Sequence, residues 1–212
     1  MKGLGLAFWK GASRRLLEAF AENEGRLCGY DGAIGDGDHG TSMLLGLTQA
    51  DKRLSERPPA DVGELLWQIG QAFLGNVGGV TGFVFGSLFT GAGESAAGAR
   101  ELDTAGLHRV FAAGLSAVKA RAKASEGDKS MVDALSPAVA ALAEAAGEAR
   151  EPVEALHLAA RAAAAGLEAT RSMEARVGRA RYQGARAVGH PDAGAASVTL
   201  IFQTLASAAG DH

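Results

Sequence analysis

The stretch GYDGAIGDGDHG, Gly29 to Gly40, carries the spacing G-x-G-x-x-G at Gly35, Gly37 and Gly40, and its reading decides the fold. A dinucleotide-binding turn would follow a strand, open a helix aimed at a pyrophosphate, and make the protein α/β. Asp36 and Asp38 inside the loop would repel that anion, so the match is accidental. An EF-hand fails as well. Counted from Asp36, position five is Gly40 rather than Asp or Asn, and position six is Thr41 rather than Gly. Hard-cation chemistry remains: Asp31, Asp36 and Asp38 supply oxygen ligands, and the glycines between them let the backbone gather three carboxylates at one point. Such a set suits Mg²⁺, which is seldom caged by protein alone and takes water and nucleotide phosphates as its other ligands. Taken by itself, the loop reads equally well as an Asp- and Gly-rich turn capping a helix.

The rest of the chain is helical in pattern, because Ala, Leu, Glu and Arg dominate and strict apolar alternation is scarce. Helices are expected at 8–27, 41–56, 61–75, 82–98, 103–122, 130–147, 152–172 and 194–209. The runs at 83–85 and 197–202 are strand-like in composition, but they lie inside Ala- and Gly-rich stretches suited to close helix packing. An all-α fold, an antiparallel eight-helix bundle or barrel forming a single domain over 1–212, is the expected architecture. The net charge of −3 argues against nucleic-acid binding or a polybasic membrane role. The apolar start LGLAFW is cut short by Lys10, Arg14 and Arg15, and the single cysteine, Cys28, has no disulfide partner. A cytoplasmic protein with a neutral thiol at Cys28 is expected.

Short connections make successive helices antiparallel, so alternate loops gather at the same end. One end collects ERPPA, GARELD and GEAREP, ordinary turns of Pro, Gly and charge. The other collects GYDGAIGDGDHG, GNVGGVTG, KASEGDKSM and the long SMEARVGRARYQGARAVGHPDAG, whose length marks it as a lid. Every unusual loop therefore falls on one face.

Four blocks, DGAIGDGDHGTSM, GNVGGVTG, KASEGDKSMVDAL and GRARYQGARAVGHPDAGAASV, resemble in order the signature blocks of the L subunit of dihydroxyacetone kinase. The resemblance implies an eight-helix barrel holding ADP or ATP and two Mg²⁺ at one end. By matching position it implies Asp31, Asp36 and Asp38 as metal ligands, and His39, Gly40, Thr41 and Ser42 as nucleotide contacts at the start of a helix. Thr41 and Ser42 are also plain N-cap candidates. Val80 and Thr81 stand where the family usually has Ala-Ser, and Ala122 and Met131 match positions around the adenine, Ala122 replacing a common glycine. Arg179 and Asp192, Ala193 and Gly194 complete the implied pocket, with Arg179 the fixed cation best suited to phosphate and Ala193 replacing the usual proline. Asp192 reads alternatively as a cap for the last helix.

Asp128 and Lys129 precede a capping box, Ser130 with Asp133, and read either as site residues or as solvated residues before a helix. His190 is expected to order the lid, His108 and His157 to be unpartnered, and His212 is terminal. No Ser-His-Asp set, Walker lysine or protein-kinase signature provides a site for a phosphate acceptor. The resemblance supplies the missing part: a separate K subunit that binds dihydroxyacetone through a histidine and, in phosphoenolpyruvate-dependent systems, an M subunit carrying a phosphohistidine that recharges the bound ADP. A kinase component for another small substrate and a nucleotide-sensing regulatory module are the alternatives.

Overall fold

The computed structural model describes residues 3–211; His212 lies outside them. Among the described residues, eight α-helices follow one another: α1 (Leu6–Gly32), α2 (His39–Glu56), α3 (Val62–Asn76), α4 (Gly79–Ser95), α5 (Thr104–Ala122), α6 (Val132–Gly147), α7 (Pro152–Ala169) and α8 (Ala193–Gly210). Each packs on the next, and α8 packs on α1, so the up-and-down arrangement closes into a ring. The expected antiparallel all-α barrel is what forms.

Apolar periodicity fills the interior. Phe20, Phe73, Phe85, Phe202, Leu27 and Leu88 are fully buried, and the rings of Phe111 and Phe202 meet at 4.7 Å. Of α8, 72% is buried, so its length and apolar character serve the core of the ring. Capping fixes several helix starts. Asp61, Asp103 and Asp192 each accept from the amide three residues on, at Glu64 (2.8 Å), Gly106 (2.7 Å) and Ala195 (2.7 Å), contacts worth about 1 kcal/mol apiece. Pro152 opens α7, where its missing N–H costs nothing.

Three departures from the sequence expectation matter. Helix α1 runs on to Gly32, because packing against α2 outweighs the low helix propensity of Gly25 and Gly29; Asp31 thus sits in a last helical turn. Helix α2 begins at His39, so Thr41 and Ser42 fall inside its first turn and the N-cap position belongs to Asp38. At the end opposite the unusual loops, β1 (Leu4–Gly5) and β2 (Glu101–Leu102) pair antiparallel, Leu4 facing Leu102. Two residues are too few to leave a period in the sequence.

The ring also dictates polarity. The even-numbered helices all start at the end where α1, α3, α5 and α7 finish. Four helix N-termini therefore face one mouth of the barrel.

Candidate functional site

That mouth opens into a cavity of about 640 Å³, within the range of ligand pockets, bounded by all the loops of this end. The α1–α2 loop contributes Asp31, Asp36 and Asp38, α2 His39 and Ser42, and the start of α4 Val80 and Thr81. The end of α5 adds Ala122, the α5–α6 connection Lys129 and Met131, the lid Arg179, and the start of α8 Asp192, Ala193 and Gly194.

The carboxylates are organised from helix α1. Asp31 Oδ2 accepts from the amides of Gly37 (2.8 Å) and Asp38 (3.0 Å), which wraps the loop around it. The wrap needs a left-handed residue at Gly37 (φ +80°), a conformation glycine adopts without penalty. Oxygens of Asp31, Asp36 and Asp38 all lie within 4.8 Å of one another. Octahedral Mg²⁺, with bonds of about 2.0–2.1 Å, sets neighbouring oxygens about 3 Å and opposite ones about 4 Å apart, so small rotations of the exposed Asp36 and Asp38 bring the set to fit. Asp38 also discriminates between a metal loop and a helix cap. It holds the N-cap position, yet its carboxylate makes no capping bond, in contrast to Asp61, Asp103 and Asp192.

Behind the carboxylates lies His39, 7% exposed. Its Nε2 is 2.8 Å from Ser197 Oγ and its Nδ1 3.4 Å from Thr81 Oγ1. Burial pushes the imidazole down to about 4, so it is neutral at physiological pH and orients hydroxyls on α8 and α4 instead of supplying charge. Ser197 was not singled out by the sequence; it is one small polar residue within an apolar helix. Asp192 both caps α8 and faces the cavity, and burial raises its carboxyl to about 7, reinforced by the charges of Asp133 and Asp31 and opposed by the Ala195 amide and Lys129.

Gly40 and Thr41 stand apart from the cavity wall. The Thr41 hydroxyl donates to Glu24 Oε1 (2.7 Å) and lies 3.6 Å from Cys28 Sγ, turning toward α1. Gly40 permits that packing: a Cβ there would come within 2.2 Å of the Glu24 carbonyl. Both residues precede Ser42, whose amide makes the bond to the Asp38 carbonyl, so their own N–H groups lie in the unpaired first turn of α2.

The lid contains two 3₁₀ segments, Thr170–Ser172 and Ala180–Ala187, the second broken at Gly184 (φ +53°). It rests on the α1–α2 loop through a small apolar cluster, Ile34 with Ala175, Ala180 and Ala187. Arg179 pairs with Asp36 and lies 4.0 Å from Asp38, so in this structure the expected phosphate-binding cation lies on the carboxylates. Its carrying loop thereby closes over the cavity. The structure also bears on His190 and Lys129. His190 contributes to lid order through its carbonyl, which accepts from Lys129, and Lys129 is only 1% exposed, not a solvated residue. The capping box holds on the Asp133 side, where Oδ2 accepts from Ser130 N at 2.7 Å, while the Ser130 hydroxyl bonds Val132 N.

A closed helical ring with four helix N-termini converging on clustered carboxylates defines a class of domain suited to hold a hard cation together with a phosphorylated ligand. The chain belongs to the DAK2 domain family, whose match spans residues 33–207, and is similar over most of its length to ADP-binding subunits of dihydroxyacetone kinases. It is 35% identical over 195 residues to the ADP-binding subunit DhaL of the PEP-dependent dihydroxyacetone kinase of Escherichia coli K12, covering 92% of this chain and 93% of that one. It is also 35% identical over 188 residues to the ADP-binding subunit DhaL of the PEP-dependent dihydroxyacetone kinase 1 of Listeria innocua, covering 89% of each. The crystal structure of the C. freundii dihydroxyacetone kinase in complex with AMP-PNP and Mg²⁺ superimposes with a TM-score of 0.75 at 25% identity, covering 98% of this chain and 35% of that longer one.

Proposed function

We propose that this chain is the nucleotide-binding subunit of a dihydroxyacetone kinase, acting as a cytoplasmic phosphotransferase component. In this reading it holds ADP or ATP with two Mg²⁺ and passes the γ-phosphoryl group to dihydroxyacetone on a separate K subunit. A phosphoenolpyruvate-dependent system, in which an M subunit with a phosphohistidine recharges the bound ADP, fits best with the relatives, which are separate ADP-binding subunits of similar length. The observation that carries the reading is the convergence of Asp31, Asp36 and Asp38 at a cavity of about 640 Å³ faced by the starts of α2, α4, α6 and α8.

Mg²⁺, when bound, neutralises phosphate charge and aligns the transferring group. The chain's own residues do the rest by position. Main-chain N–H groups of His39, Gly40 and Thr41, and of Val80 and Thr81, face anionic oxygens at the starts of α2 and α4. Neutral His39 holds Thr81 and Ser197 in place, and its depressed pKa makes it a weak base. Met131 and Ala122 supply the apolar wall for a base. Arg179, paired with Asp36 in this structure, would be the cation for the phosphates if Asp36 held a metal, its planar guanidinium suited to spreading charge. In this reading the phosphoryl acceptor is held by the partner subunit.

Reconstitution tests the division of labour. The purified chain with ATP and dihydroxyacetone should give no dihydroxyacetone phosphate, and addition of a cognate K subunit together with ADP and an already phosphorylated M subunit should start turnover. Robust turnover by the chain alone would overturn the proposal.

A further inference from the structure

The lid leaves the barrel at the end of α7 and returns just before α8, and both of its stems meet at one buried ammonium. Lys129 lies in the α5–α6 connection with a left-handed backbone (φ +58°), uncommon for a residue with a side chain. Its Nζ donates to the Thr170 carbonyl at 2.5 Å and to the His190 carbonyl at 2.6 Å. These carbonyls stand at opposite ends of the lid. Burial lowers the pKa of the ammonium, while the charges of Asp192 and Asp133 oppose that shift. Burying an ammonium is costly unless it is well paired, and an aliphatic side chain would fill the same space without that cost.

The surrounding bonds show what the arrangement holds. Gly189 N donates to the Arg171 carbonyl (2.7 Å) and Asp192 N to Thr170 Oγ1 (3.0 Å), closing a neck between the stems. Arg176 N donates to the carbonyl of Asp128, Lys129's neighbour, at 3.0 Å. Beyond the neck the lid touches the α1–α2 loop through Ile34 and Arg179. We propose that Lys129 is the positioning residue of the lid: its ammonium ties both stems to the α5–α6 loop and so sets where Arg179 stands over the cavity. Lys129 acts through Arg179. The consequence for ligand binding rests on the nucleotide reading above, whereas the tethering itself does not.

Lys129→Met keeps the side-chain length and removes the donors. In native, ligand-free protein, trypsin should cut the variant at Arg176, Arg179, Arg181 and Arg186 at least about tenfold faster than the parent, with cleavage at Arg100 and Arg150, in exposed turns at the opposite end of the barrel, unchanged. Equal lid cleavage, or acceleration at all of these sites alike, would overturn the tether and leave Lys129 a general stability residue. Calorimetric titration with Mg·ADP then separates positioning from stability. Lys129→Met and Arg179→Ala should each weaken binding, and the double variant should bind no more weakly than Arg179→Ala alone, the non-additivity expected of residues acting as a unit. Additive losses would overturn the link to Arg179. A parent that fails to bind Mg·ADP would sink the nucleotide reading and leave the cleavage result standing. If Lys129→Met does not fold, Lys129→Gln takes its place in the same digestion: faster cutting confined to the lid sites supports the tether, and cutting at the parent's rate refutes it.

Discussion

Replacing Asp38 with asparagine should change stability with opposite sign in the absence and in the presence of ligand. Asp38 makes no capping bond, so asparagine forfeits nothing at the start of α2. The substitution removes one of three charges whose oxygens lie within 4.8 Å, a separation at which two unit charges repel by about 1 kcal/mol in water and about 3.5 kcal/mol at an effective dielectric of 20. The side chain is 61% exposed and Arg179 is near, so the low end applies, about 1 kcal/mol. Ligand-free Asp38→Asn should therefore melt about 2 to 4 °C above the parent. Mg·ADP at about 100 times its Kd adds about 2.7 kcal/mol to the parent, or roughly 5 to 11 °C. The variant should lose most of that rise. Differential scanning fluorimetry on protein stripped of metal and nucleotide, with and without Mg·ADP, reads both signs. A variant that melts lower without ligand and keeps the full ligand shift would show that Asp38 is an ordinary cap.

The pH dependence of stability should expose two opposed titrations. His39, held at about 4 against an ordinary 6.5, leaves the unfolded chain binding the extra proton, so its contribution is lost as pH falls from about 6.5 to 4. Asp192, raised from 3.8 to about 7, keeps its proton in the folded chain, so its contribution is lost as pH rises through nearly the same window. Asp192→Asn retains a capping residue and removes the second slope; in EDTA its urea midpoint should drop more than the parent's between pH 6.5 and 4.5, by up to about 3 kcal/mol in stability. Equal drops would show that the two groups do not titrate as described. Gly40→Ala would drive a methyl to within 2.2 Å of the Glu24 carbonyl and 2.9 Å of Cys28 Sγ, and should cost about 1 to 3 kcal/mol by denaturation. An unaffected midpoint would mean that α1 and α2 separate freely at this point.

Much of this was legible in the sequence because helical periodicity and loop order carry it. Eight apolar-patterned segments with short connections leave few arrangements other than an up-and-down ring, and alternation then sends the Asp31, Thr81, Met131 and Asp192 loops to one mouth. Contacts between segments distant in sequence were not legible. Thr41 joins the cavity residues by its matching position in the family resemblance, but its side chain leaves the first turn of α2 toward Glu24 on α1. Lys129 resembled a solvated residue because charge before a capping box usually is; only the return of the lid brings the His190 carbonyl to it. Arg179 has a cation's chemistry whichever anion it meets, and the sequence does not say that Asp36 is the one within reach. The pairing of Leu4 with Leu102 is too short to show a period.

The central claim is that the carboxylates hold the nucleotide through a metal and the helix N-termini hold it directly. Titrating ADP calorimetrically into stripped protein, once in EDTA and once in excess Mg²⁺, tests it most directly. The account predicts saturable one-to-one binding in Mg²⁺ and affinity weaker by at least about tenfold in EDTA. Equal affinity in the two solutions would contradict it.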